Sequence, residues 1–280
     1  MLMHPTPSTE SASPAAHQRA RGQVRLGFVA SEGRTRLADL YQQGSAKAML
    51  PRAHAAEPQA TLINTAGGLT GGDRFFWQVD LGARARATLA SQTAERVYRS
   101  TSGAALVEVA LRVGAGGHLD WLGQETILFE GGALDRRLVL DLEGDASALI
   151  VEPLVFGRAA MGETPEHVTL TDRWSLRRDG RPLHEEVTRI RPPMSAFRGA
   201  AGLGGMRATA TVIYAGYDAE DRLDPARRLL PDIGVRAAAS AWGGRLVVRL
   251  MAPDAQPLRA ALIHFLTGFR GAALPRVWTM

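Results

Sequence analysis

Thr61-Leu-Ile-Asn-Thr-Ala-Gly-Gly-Leu-Thr-Gly-Gly-Asp-Arg-Phe-Phe-Trp-Gln-Val79 decides the architecture. Gly67, Gly68, Gly71 and Gly72 fall within six positions, between an apolar run and a run in which Phe75, Trp77, Val79 and Leu81 share one face. Glycine loses more conformational freedom on ordering than any other residue, so this density suggests backbone at positive φ or closely approached by another group. A generous hairpin connection is the plain alternative. Gly67 and Gly72 have the spacing of the first two glycines of a phosphate-binding loop, but Asp73-Arg74 stands where lysine and a hydroxyl are needed. An aspartate there repels a polyphosphate. The dinucleotide fingerprint is missing too, and no crossover helix follows. The stretch is therefore read as strand, glycine loop, strand.

The same pattern extends in both directions. Val24, Leu26 and Phe28 alternate before the turn Ser31-Glu32-Gly33, and Val107, Val109, Leu111 and Val113 share a face opposite Glu108 and Arg112. Leu134, Leu138, Leu140 and Leu142 continue the theme, as do Val168, Leu170, Trp174 and Leu176. The last run ends at Arg178-Asp-Gly-Arg181, where Asp-Gly is a strong two-residue hairpin signal. Met206–Tyr214 and Arg245–Met251 read as further strands. Two helices stand against this background. Asp224 caps a short one with Pro225 at its first position, and Asp254 caps a second, amphipathic one through Leu258, Leu262, Phe265, Leu266 and Phe269. Strands joined by glycine turns over this length point to a large sandwich, barrel or irregular β-solenoid.

Residues 1–22 are rich in proline, serine and threonine and read as a disordered tail, leaving residues 23–280 as one continuous β-rich domain. The tail lacks the charged start and apolar core of a secretion signal, and no run is long enough to cross a bilayer, so a cytoplasmic protein is expected. With no cysteine there are no disulfides, thiolate zinc sites or cysteine nucleophiles. The formal charge of +5 raises the question of nucleic acid. Lys47 is the only lysine, and the arginines are scattered among acids, as in Asp135-Arg136-Arg137, which reads as surface pairing. Without a continuous basic stripe, a protein partner is favoured over a phosphate backbone.

No Gly-x-Ser-x-Gly elbow occurs, and the seven histidines are dispersed without His-Glu-x-x-His spacing. What remains is a set of polar residues inside apolar or glycine-rich contexts: Asp73, Glu95-Arg96, Gln124-Glu125, Glu152, and Arg158 with Glu163. Glu152, within Leu149-Ile-Val-Glu-Pro-Leu-Val-Phe156, is the sharpest of these. A carboxylate there is paired, hydrated or ligating, because burying it alone costs several kcal/mol or forces protonation. Two readings stay open: a buried ion pair with an arginine, or a water-filled passage lined by carboxylates and suited to a partly hydrated divalent ion. Asp73, Glu125 and Glu152 also motivate an alternative, a carboxylate-dependent hydrolase on a β-solenoid.

Asn64–Asp73, Ala94-Glu-Arg-Val-Tyr-Arg-Ser100, Gln124-Glu-Thr-Ile-Leu-Phe129, Gly157-Arg-Ala-Ala-Met-Gly-Glu163 and the closing Leu274-Pro-Arg-Val-Trp278, in this order and spacing, resemble the urease accessory protein family UreD, also called UreH. The resemblance runs from about Arg21 to the end. It implies a β-helix-like stack of strands with two helices, and a non-enzymatic maturation factor with no tightly bound cofactor. Such a factor works with UreF and the GTPase UreG, docks on apo-urease, and helps insert nickel supplied by UreE. It also implies an internal polar tunnel for transient Ni2+, on which Asp73, Glu95 and Glu152 are the matching candidates for the lining. Gly67, Gly68, Gly71, Gly72, Tyr98, Arg99, Gln124, Glu125, Gly157, Arg158, Gly162 and Glu163 are the matching structural or interface positions. Arg158 and Glu163 are expected to shape the tunnel mouth or to hold their loop by an ion pair.

Overall fold

The computed structural model describes residues 18–51, 57–231 and 233–279, so most of the expected tail, with His4 and His17, and the segment containing His54 lie outside the described residues. The chain opens with β1 (Arg21–Ser31), β2 (Arg34–Gly44), β3 (Ala46–Met49) and β4 (Gln59–Asn64). It then coils through β5 (Arg74–Leu81), β6 (Arg86–Ser91), β7 (Glu95–Val97), β8 (Ala105–Val113) and β9 (His118–Leu122). The coil continues through β10 (Thr126–Leu128), β11 (Ala133–Leu142), β12 (Ser147–Phe156) and β13 (Thr169–Arg178). β14 (Arg181–Ile190) and β15 (Ala208–Ala215) precede α1 (Leu223–Arg228), and β16 (Arg236–Trp242), β17 (Arg245–Ala252) and α2 (Ala255–Arg270) finish the chain.

Two sheets face each other. One runs β14-β13-β11-β8-β5-β1-β2, the other β16-β17-β15-β12-β9-β6-β4-β3, with β10 linking β12 to β7. Within the coil the neighbours are parallel: β1, β5, β8, β11 and β13 on one side, β4, β6, β9 and β12 on the other. Parallel strands need a crossover, and here each crossover is a strand of the opposite sheet, giving a β-solenoid of about four turns with antiparallel strands at its ends. Identical faces therefore stack: Trp77, Val109, Leu138 and Trp174 sit in one inward row, and Val79, Leu111, Leu140 and Leu176 in the next. Each fully buried side chain of this kind contributes about 1.5–3 kcal/mol. A second core forms where α2 lays Leu258, Leu262, Phe265 and Leu266 on the outer face of the other sheet.

Asp179 and Gly180 both have positive φ, as the expected hairpin requires, and the Asp254 side chain accepts from the Ala255 N–H at 2.7 Å to start α2. Two expectations needed correction, and one strand was not anticipated. β1 begins at Arg21 rather than Gln23, because its first residues pair with β5 and β2. Asp224 lies inside the first turn of α1 while Arg222 holds the cap position, without a side-chain cap. β16, Arg-Ala-Ala-Ala-Ser-Ala-Trp, gives no apolar alternation and owes its strand form to pairing with β17.

Candidate functional site

The glycine loop comes first in the chain and organises one end of the solenoid. Gly67, Gly68 and Gly72 have positive φ, and a Cβ on Gly71 would lie 1.9 Å from Ser100 Oγ, so the 98–103 segment presses directly against the loop. Leu69 exchanges backbone hydrogen bonds with β7, its N–H to Arg96 O at 2.7 Å and its carbonyl from Tyr98 N at 2.8 Å. Asp73, only 4% exposed, accepts from the N–H of Ala20 and of Thr70, both at 2.8 Å. Its two oxygens tie the chain start to the loop. Asp73, expected on an internal passage, borders neither of the cavities described next, and backbone donors occupy its carboxylate.

The first cavity, about 150 Å³, lies between the sheets. Its mouth is at the exposed Gln92, Thr93 and Arg96, and its walls include Trp77, Trp121 and Glu95. Glu95 Oε2 accepts from Asn64 Nδ2 at 3.0 Å, and burial pushes this carboxyl up from its ordinary value despite that bond. The loop thus reaches the cavity through Asn64 and Gly67 rather than through Asp73.

At the inner end of this cavity stands Glu152, 7% exposed. Its Oε1 accepts from Trp121 Nε1 at 2.9 Å and its Oε2 from the Arg136 guanidinium. Arg136 also grips Asp172 with two parallel bonds, Nε to Oδ1 at 3.0 Å and Nη2 to Oδ2 at 2.6 Å, and reaches Thr126 Oγ1 at 3.4 Å. Burial alone would lower the Arg136 pKa, but Asp172 and Glu152 outweigh it and hold the guanidinium positive. Burial likewise pushes Glu152 up against the pull of Arg136. Beyond this group lies a second cavity of about 230 Å³, bordered by Glu152, Asp172, Trp174, Glu186 and Arg249 and reaching the surface near Gly202. Glu152 borders both cavities. Arg249 closes on Glu186 with two bonds of 2.5 and 2.7 Å. Burial raises the Glu186 carboxyl, but His184 and Arg249 overcome it and hold the group at about 2.

Both readings of Glu152 thus meet in one place, since its arginine partner sits in the wall between two cavities. Sequence reasoning missed Arg136 and Asp172, taking Arg136 for a surface residue. The signal was present: Arg136 falls between Leu134 and Leu138, and Asp172 between Leu170 and Trp174, on the inward face of each strand. The two are register partners, as are Asp172 and Thr188 on β14.

The remaining motif residues hold other parts together. Gln124 and Glu125 clamp the chain end: Arg259 of α2 donates to Gln124 Oε1 at 3.0 Å, to Glu125 Oε2 at 3.0 Å and to Trp278 O at 2.9 Å. Tyr98 packs edge-on against Phe129 with centroids 5.2 Å apart, and the Arg158 guanidinium lies over the same Phe129 ring at 4.5 Å while pairing with Glu163 at 2.9 Å. Gly157, just before Arg158, and Gly162, just before Glu163, have positive φ and turn the chain so that the two side chains meet. Arg99 runs beside Gly131 and bridges Gly132. Tyr98, Arg99 and Arg158 are exposed and form one surface patch. Arg158 and Glu163 border neither cavity, so they hold their loop rather than shape a mouth. Asp73, Glu125 and Glu152, the proposed hydrolytic set, are each held by different partners and do not converge. Among the described residues no group of three or more histidines or carboxylates is arranged to hold a metal ion.

The UreD urease accessory protein family model matches residues 20–279. The chain belongs to the UreD family. It is 48% identical over 272 residues to the urease accessory protein UreD of Chelativorans sp. (strain BNC1), covering 97% of this chain and 98% of that protein. It is 49% identical over 262 residues to that of Cereibacter sphaeroides, covering 93% and 95%, and 45% identical over 274 residues to that of Rhizobium leguminosarum bv. viciae, covering 97% and 100%. Membership in UreD assigns the chain to urease maturation. No helix among the described residues is long and apolar enough to cross a membrane.

Proposed function

We propose that this chain is a non-catalytic maturation factor that docks on apo-urease with UreF and the GTPase UreG in the cytoplasm, and conducts nickel supplied by UreE through its interior. The observation that carries this reading is the pair of cavities between the sheets, which adjoin at Glu152 and carry Glu95 on one side and Asp172 and Glu186 on the other. Their volumes leave room for several waters, so a divalent ion travels with part of its hydration shell. Carboxylate oxygens suit such an ion, and widely spaced single carboxylates favour transfer over storage. Nickel is cargo here, and the chain contributes the route and the docking surface around Tyr98, Arg99 and Arg158.

A plug at the mouth tests the route. Ala94, half-buried at the rim, replaced by tryptophan fills the entrance without touching the strand ladders. Ala94→Trp is expected to lower the rate of urease activation about tenfold at equal assembly with UreF and urease. Normal activation by a fully assembled Ala94→Trp complex would rule the route out.

A further inference from the structure

The charged row at Arg136 is unusual for its position. In the parallel ladder β5-β8-β11-β13 the register partners are Phe75, Val107, Arg136 and Asp172, so an apolar row becomes an ionic one halfway along. Stability does not account for this, since a buried ion pair replaced by well-packed apolar groups is commonly neutral or more stable. The group also lies where the two cavities adjoin. Arg136 borders the first, Asp172 the second and Glu152 both, and all three are nearly excluded from solvent. Two carboxylates and one guanidinium leave a formal charge of −1 inside the wall. A cation arriving from Glu95 meets Glu152 and Arg136 together in the lining of the first cavity.

We propose that Arg136 is the gate of this passage: its guanidinium closes the wall by filling the gap between Glu152 and Asp172, and a divalent cation crosses by displacing it. The inference rests on the nickel-route reading above. A divalent ion has twice the charge of the guanidinium, so it competes for the same two carboxylates once it has shed part of its water. When the ion moves on, the released cation returns to the charges of Glu152 and Asp172, and the wall reseals. Selectivity follows, because a monovalent ion has no electrostatic advantage over the arginine it would have to displace.

The test uses the full chain in the assembled activation complex, with Ni2+ as the probe. Arg136→Met removes the displaceable cation and leaves the two carboxylates as a trap. It is expected to retain about one Ni2+ per chain after gel filtration, and to activate urease about tenfold more slowly at limiting nickel. Arg136→Lys keeps a displaceable charge but not the two parallel bonds, and is expected to retain no ion and to activate within about twofold of the parent. The triple variant Arg136→Met/Glu152→Gln/Asp172→Asn carries no buried charge and is expected to retain no ion. A folded Arg136→Met chain that binds no nickel and activates normally overturns the gate. Should Arg136→Met not fold, Arg136→Lys decides: normal activation supports the gate, and assembly with tenfold slower activation overturns it, because that is the mark of a purely structural fork. The route reading fails by a separate result, normal activation through the Ala94→Trp plug.

Discussion

Asp73 and Glu152 are buried to nearly the same degree, 4% and 7% exposed, and both follow stretches that look built for chemistry. Their partners separate them. Asp73 is satisfied by two backbone N–H groups of the same corner of the fold and borders neither of the two cavities, so its charge serves the loop. Glu152 is satisfied by two side chains, Trp121 and Arg136, and has a cavity on either side. Backbone donors cannot leave without unfolding the loop, whereas a side-chain cation can swing away. A buried carboxylate bound by the backbone is architecture, and one bound by a side-chain cation beside a cavity is a place where an ion can act.

The largest expected effect separates the two through stability. Arg136→Met strands two buried carboxylates and is expected to destabilise the fold by about 3–5 kcal/mol in urea unfolding, while the neutral triple variant recovers most of this loss. Full stability in Arg136→Met would mean that the group is hydrated rather than closed. Asp73→Ala leaves the Ala20 and Thr70 N–H groups without their acceptor and is expected to cost about 2–3 kcal/mol by the same measurement. It should also leave nickel handling unchanged at equal assembly, and a specific loss of activation in a fully assembled Asp73→Ala complex would erase the distinction drawn above.

Much of the architecture was legible before the structure. The alternating rows of β5, β8, β11 and β13 follow from inward-facing leucine, valine and tryptophan, and the Asp-Gly hairpin and the Asp254 cap are local signals with local causes. β16 was hidden because its alanines carry no pattern and its order comes from its partner strand. The site was half legible. Glu152 announced itself by sitting in an apolar run, but Arg136 was masked by Asp135 and Arg137, which make the triplet look like surface. Only the strand phase, with Asp135 pairing with Arg173 on the outer side and Arg136 between Leu134 and Leu138, reveals it. The union of cavities was not legible at all, because it depends on how the two sheets are set against each other.

Two smaller effects sharpen the contrast at the ends of the passage. Glu186 is held at about 2, below its ordinary 4.5, so its stabilising contribution is present above pH 4.5 and fades as the pH falls towards 2. After discounting for the half-exposed Arg249 partner, Glu186→Gln is expected to cost about 1–2 kcal/mol at pH 7, with the difference vanishing at low pH in unfolding curves. Glu95 has the opposite sign. Its raised carboxyl means that ionisation at neutral pH works against folding, so Glu95→Gln is expected to leave stability unchanged or raise it by about 0.5–1 kcal/mol at pH 7. A clear destabilisation by Glu95→Gln would place Glu95 with Asp73 among the architectural carboxylates.

The central claim is that nickel occupies the space between the sheets, and anomalous diffraction at the nickel edge tests it most directly. In crystals of the assembled complex equilibrated with Ni2+, the account predicts an anomalous peak inside the cavity bounded by Glu95, Trp121 and Glu152. Peaks confined to the outer surface, with that interior empty, would contradict it.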